Sequence, residues 1–150
     1  MTDFPAAETI ARNKEIGLRI LVEVWGEGKL AVIDELLAPD YVDHTPRGPE
    51  PARVYGPEGL KAAVRLFRTA FPDLTYRVEL QLAEGDLVSS RFTASGTQLG
   101  PFRGIAPTGR RITYTGIDIN RIVNGRIVAS WVNYDALGLL EQLGAVTTET

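Results

Sequence analysis

Two hydrophobic rhythms divide the chain. From Ala6 to Gly26 the polar residues Glu8, Arg12, Glu15, Arg19 and Glu23 recur at steps of three and four, while Ile16, Ile20 and Val24, with Gly17, Leu21 and Trp25, form the dry stripe. That spacing predicts an amphipathic helix, stopped by Gly26 and Gly28. A short second helix is predicted over Lys29–Leu37, ending before Pro39. Pro39 to Gly56 holds prolines at 39, 46, 49 and 51 and glycines at 48 and 56, which excludes a long regular element. Pro57 suits the first turn of a third helix, whose face is Leu60, Val64, Phe67 and Phe71 and whose end is Pro72.

Beyond Pro72 the period falls from 3.6 to 2. In Thr75–Leu82, Tyr76, Val78, Leu80 and Leu82 alternate with Thr75, Arg77, Glu79 and Gln81, a half-buried strand. Further strands are expected at Leu87–Thr97, Arg111–Val123 and Arg126–Tyr134, with a loop at Gly100–Gly109 and turns at Glu84-Gly85-Asp86 and Asn124-Gly125. A helix over Ala136–Leu143 ends at Gly144, and the tail 145–150 is expected to fray. Helices first and antiparallel strands after define an α+β domain spanning the chain.

The hairpin at Asn124-Gly125 has two open registers. A two-residue type I′ turn places Asp118 opposite Trp131, whereas a three-residue loop from Val123 with a G1 bulge places it opposite Ser130. The second is favoured. It collects Tyr114, Asp118, Asn120, Ser130, Val132 and Tyr134 on one face and Ile117, Ile119, Ile127, Ala129 and Trp131 on the other. Helices can cover only one of these faces, so the apolar other face is expected to pair with a second copy, most simply as a dimer.

Composition narrows the chemistry. With 16 Lys+Arg against 19 Asp+Glu in 150 residues, the net charge is -3 and no basic surplus exists to neutralise phosphates. The absence of cysteine removes disulfides, thiolate nucleophiles and Cys-ligated metals, and one histidine is too few for a His-rich metal site. No targeting or membrane segment is evident, so a cytoplasmic protein is expected by default.

Asp118, within Gly116-Ile117-Asp118-Ile119-Asn120, is the leading candidate for chemistry. A carboxylate among apolar neighbours is costly unless paired, and a raised pKa fits it for proton transfer near neutrality. The competing reading is a structural Asp satisfied by Asn120, Ser130 or Arg91. His44, the only imidazole, sits on the proline-rich loop, where it either moves a proton or merely packs. Asp43 beside it is read as orienting the loop. Arg91 lies mid-strand, either solvated or turned inward to pair with Asp118 or a substrate oxygen. Tyr114 and Tyr134 either donate to a carbonyl or pack, and Trp25 and Trp131 are expected in core or interface.

The stretches Asn13-Lys14-Glu15-Ile16, Leu36-Leu37-Ala38-Pro39-Asp40-Tyr41-Val42-Asp43-His44, Ala70-Phe71-Pro72-Asp73-Leu74, Gly104-Ile105-Ala106-Pro107-Thr108-Gly109-Arg110 and Asn124-Gly125-Arg126-Ile127-Val128 then resemble the SnoaL-like polyketide cyclases. These are ester cyclases within the nuclear-transport-factor-like and ketosteroid-isomerase-like group. The resemblance spans roughly residues 10 to 144. It implies a cone-shaped curved antiparallel sheet wrapped around helices, a deep apolar pocket for a polyketide-like ester, and no metal or organic cofactor. It also implies an acidic residue on the last strand as acid/base for an intramolecular aldol closure. Here that position is Val132, while Ser130 and Gln98 stand where many members show His, and Asp118 stands where a cyclase carries an assisting His. The expectation is therefore an enzyme in which Asp118 moves the proton, helped by His44. Arg91, Tyr114, Asn120, Ser130, Val132 and Tyr134 would contact a medium-sized apolar carbonyl compound. Its rivals are a binding module without turnover on the same fold, and an epoxide hydrolase-like site, which normally needs two carboxylates and an Arg around one water.

Overall fold

A computed structural model describes residues 6–45 and 53–147. Helix α1 spans Ala7–Arg19 and runs on into a π-helical segment, Ile20–Gly26. The expected helix is thus present over its whole length, with its last turns widened. Such π turns are local departures that re-aim side chains, and this one carries Ile20, Leu21 and Trp25 into the interior cavity. Its closing carbonyls are capped by Arg68, whose guanidinium donates to Trp25 O at 3.1 Å and Gly26 O at 2.9 Å, and also to Leu74 O at 3.0 Å. Helix α2 is Leu30–Leu36, and α3, with Pro57 in its first turn, is Gly56–Ala70.

The strands are β1 (Leu37–Asp43), β2 (Val54–Tyr55), β3 (Thr75–Glu84), β4 (Leu87–Thr97), β5 (Arg111–Val123) and β6 (Arg126–Tyr134), followed by α4 (Ala136–Gln142). They form one curved, unclosed sheet in the order β2-β1-β6-β5-β4-β3. The α+β cone is as expected, with one correction. The sheet is mixed, because β1 lies parallel to β6, pairing Val42 with Ala129 and Asp43 with Ser130. Strand β1 falls at the start of the proline-rich segment, where a long regular element was excluded and no strand was placed. Seven residues suffice for it because neighbouring β6 supplies the hydrogen-bonding edge. The prolines at 46, 49 and 51 and Gly48 lie outside the described residues, as does the extreme tail.

Two bulges overturn details of the strand reading. The β5–β6 hairpin uses the two-residue turn, with Val123 across from Arg126 and both Asn124 (φ 50) and Gly125 (φ 75) left-handed. The pairing then slips, so that Ile122 faces Ile127 but Arg121 faces Ala129. Asp118 consequently lies opposite Val132, neither Trp131 nor Ser130. The slip restores the favoured grouping of faces with one exception, since Ile127 turns inward and is fully buried. In β3 a second bulge, between Val78 and Leu80, breaks the alternation. Leu80 and Leu82 turn outward, 52% and 69% exposed. Gln81 turns inward, donating to Lys14 O at 2.8 Å and Ser90 Oγ at 3.1 Å. Bulges of this kind let a sheet curl around the helices it covers.

The core lies between the concave face of the sheet and the helices, built on Ile20, Val24, Ile33, Leu60, Val64, Phe71, Phe92, Ile112 and Leu139. The Gly100–Gly109 loop is anchored by Gln98, whose fully buried amide accepts from Thr108 N at 3.0 Å and donates to Ile105 O at 3.2 Å. Gly116 allows β5 to pass beneath Phe92. A Cβ there meets the Phe92 ring and stands 2.9 Å from both Asn133 O and Tyr134 Cβ. Gly116→Ala is therefore expected to cost about 1–3 kcal/mol by overpacking, read as a lower urea midpoint with an unchanged m value.

Candidate active site

The concave face encloses a small cavity between β1, β3–β6, the π-helical segment and α3, in which the centre of a water-sized sphere has about 60 Å³ to move. Asp118 of β5 lies in its wall and is 2% exposed. One carboxyl oxygen accepts from Ser90 N at 3.2 Å, the other from Asn120 Nδ2 at 3.0 Å. Ser130 Oγ donates in turn to Asn120 Oδ1, which fixes the direction of the Asn120 amide and aims its N–H at the carboxyl. No cation contacts Asp118 among the described residues. Burial pushes its pKa up from 3.8 to about 7, against the opposing hydrogen bonds from Asn120 and Ser90.

The remainder of the wall is largely aromatic: Trp25, Phe67, Tyr76, Phe92, Tyr114 and Tyr134. Tyr76 and Tyr114 share a hydrogen bond of 2.8 Å between their hydroxyls. Burial holds both phenols above their ordinary pKa, so they remain protonated. Because only one proton lies between the two oxygens, the pair retains a second O–H to offer a ligand. Opposite Asp118, Val132 contributes an apolar surface, and its backbone N–H donates to Thr45 Oγ1 at 3.1 Å. Thr45 is held by Asp43, which accepts from both its hydroxyl and its N–H, the latter at 2.9 Å. Asp43 thus orients the loop, as its sequence position suggested, but it also lines the cavity. Among the described residues, no group of three or more His, Asp or Glu is placed to hold a metal ion.

Tyr114, Asn120, Ser130, Val132 and Tyr134 all line the same cavity as Asp118. His44 and Arg91 do not. The His44 ring stacks on Trp131 at 5.2 Å and 13° on the convex face. Its neighbours Asp43 and Thr45 point inward, so strand alternation sends His44 out. Arg91 alternates with buried Ser90 and Phe92 and is exposed beside Ile117. The expectation that His44 assists Asp118 and that Arg91 contacts the ligand is corrected on this ground, and of the two readings of Arg91 the solvated one is the one observed. Sequence reasoning missed Trp25, Tyr41, Thr45, Phe67 and Tyr76 as cavity residues. For all but Thr45 the signal was an aromatic side chain at a core position, and such a position reads the same whether it packs on protein or on a ligand; Thr45, a polar loop residue, gave no such signal.

The sequence model of the SnoaL-like polyketide cyclases matches residues 15–143, and the chain belongs to that family. Aklanonic acid methyl ester cyclase DauD of Streptomyces sp. strain C5 is 31% identical over 135 residues, covering 85% of this chain and 79% of that protein. Nogalonic acid methyl ester cyclase of Streptomyces nogalater is 28% identical over 127 residues, covering 83% and 92%. The structure of TsrD from Streptomyces laurentii, 35% identical, superposes with a TM-score of 0.80 over 91% of this chain and 97% of that one.

The raised pKa of Asp118 has a thermodynamic signature. Between about pH 4 and pH 7 the folded protein holds a proton that the unfolded chain has released, so stability falls as pH rises through this window and levels off above it. The full effect is worth up to about 4 kcal/mol. Asp118→Asn is expected to raise Tm by several degrees at pH 8 and to change it little at pH 4, as measured by scanning calorimetry.

Proposed function

We propose that this protein is a polyketide cyclase that closes a ring in an aromatic polyketide ester by acid–base chemistry, with Asp118 as the proton-transfer group. The observation that carries this reading is the carboxyl itself, buried in the wall of an aromatic cavity and titrating near neutrality. Its place in the sheet supports the reading. The acid that the family resemblance puts on the last strand is replaced by Val132, and Asp118 is the cross-strand partner of Val132. Side chains of such partners stand about 5 Å apart on one face, so a carboxyl at 118 reaches much the same part of the cavity as one at 132.

The chemistry balances on these side chains alone. The Asp118 carboxylate takes the proton from a carbon beside a substrate carbonyl, leaving an enolate. The enolate carbon attacks a second carbonyl in the same molecule. A carbon–carbon bond forms and the second carbonyl becomes an alkoxide. The Asp118 carboxyl returns its proton to that alkoxide, which restores the carboxylate and leaves a hydroxyl. A group titrating near 7 serves both steps at neutral pH. The spare O–H of the Tyr76–Tyr114 pair is suited to the developing oxyanion. The aromatic walls hold a flexible chain folded upon itself and keep water away.

A second reading, binding without turnover, is favoured by the loss of the family's acid at Val132. Steady-state assays on aromatic polyketide methyl esters separate the two. For the enzyme, kcat rises with pH through about 7 as Asp118 ionises. Asp118→Asn lowers kcat at least about a hundredfold and abolishes that inflection while ligand binding persists. Undiminished turnover in the variant removes Asp118 from the mechanism, and a wild-type protein that binds these esters without converting them is a binding module.

The same proposal includes a homodimer. On the convex face Leu80, Leu82, Ile117 and Ile119 are 52%, 69%, 50% and 39% exposed, an apolar area in need of cover. Sedimentation velocity is expected to give a dimer for the wild type and a monomer for Ile117→Glu. A monomeric wild type at micromolar concentration overturns this part.

A further inference from the structure

Phe67 of α3 stands in two walls. One side of it closes the cavity around Asp118, and the other lines an outer recess formed by Arg53, Val54, Ala63, Leu66, Phe102 and Arg103. The partition between the two is completed by a hydrogen bond, Arg103 Nη2 donating to Tyr134 Oη at 2.8 Å. Tyr134 lines the inner cavity and Arg103 the outer one. The inner cavity and the outer recess thus share one wall, made of Phe67 and the Arg103–Tyr134 pair.

The floor of the recess is apolar, and its only charged lining residues among those described are two cations, Arg53 and Arg103. Both are exposed. Neither guanidinium meets a carboxylate among the described residues: Arg53 makes no such contact, and Arg103 has only the Tyr134 hydroxyl and the face of Phe102, 5.4 Å from its ring centroid. With one N–H committed to Tyr134, the guanidinium still has further N–H groups to offer an oxyanion. Arg103 is also held at a costly backbone geometry, φ 47, in the loop that the buried amide of Gln98 anchors. The chain as a whole carries a net charge of -3, so two uncompensated cations at the mouth form a local attractor for a negative group.

We propose that the outer recess is a subsite for a carboxylate borne by the far end of an aromatic ligand whose body lies in the inner cavity. This inference rests on the reading of the inner cavity as an aromatic-ligand site. It adds a charge preference, for a free acid over its neutral ester at that end of the molecule.

Anthraquinone-2-carboxylate and its methyl ester are suitable probes, titrated by quenching of tryptophan fluorescence, since Trp25 lines the inner cavity. The wild type is expected to bind the acid more tightly than the ester. Arg53→Gln and Arg103→Gln should each weaken the acid about three- to fivefold, the worth of an exposed ion pair, and the double variant about tenfold or more. The ester should bind the wild type and Arg53→Gln within twofold, about the scatter expected of near-neutral surface changes, which also shows that this variant is folded. Equal binding of acid and ester by the wild type, or equal losses of both in the Arg53→Gln variant, overturns the subsite and leaves the proton-transfer proposal standing. Failure of both probes to bind the wild type overturns the aromatic-ligand reading of the inner cavity and the subsite with it.

Discussion

Ile122 lies across from Ile127 and Arg121 lies across from Ala129, with Val128 as the unpaired residue between them. Residues on the two sides of such a bulge obey different parities, because side chains alternate from face to face with a period of two. Below the slip, Ile122 and Ile127 both point into the core. Above it, Asp118, Asn120, Ser130, Val132 and Tyr134 come together on the concave face. Without the extra residue, one strand would turn its polar set inward while its partner turned it outward, and no wall of convergent groups would form. The cavity depends on this pairing before it depends on any single side chain.

The electrostatics follow from that arrangement. Asp118 faces a space bounded largely by rings and aliphatic side chains, with two N–H donors and, among the described residues, no cation to support its charge. Either an arginine beside it or open water would return its pKa toward the ordinary carboxylate range. The exile of Arg91 and His44 to the convex face is therefore part of what keeps the carboxyl near neutrality. The Asn120–Ser130 pair does the opposite work at modest strength, holding the carboxyl in one orientation without neutralising it.

Much of the fold was legible along the chain. The helical stripe of Ile16, Ile20 and Val24, the strand alternations and the turn residues Asn124-Gly125 all have local causes, and every element except β1 and β2 stands within a few residues of its expected place. Strand β1 was hidden by Pro39 and by the prolines that follow. Its partner β6 lies some ninety residues away, and no local pattern reports an edge offered from that distance. The bulge in β3 was equally hidden, since Leu80 and Leu82 continue a flawless alternation that the sheet's curvature then breaks.

The sequence by itself determined the α+β class, the family, and the presence of a carboxylate stranded among Gly116, Ile117 and Ile119, since these rest on residue types and short-range spacing. Only the tertiary structure decided which groups meet that carboxylate. It assigned His44 and Arg91 to the far face, brought Tyr76 from β3 to Tyr114 on β5, and set Asp118 across from Val132. The physical reason is the parity of a pleated strand. A single inserted residue reverses every side chain beyond it, and where that residue goes is settled by how the sheet bends over its helices.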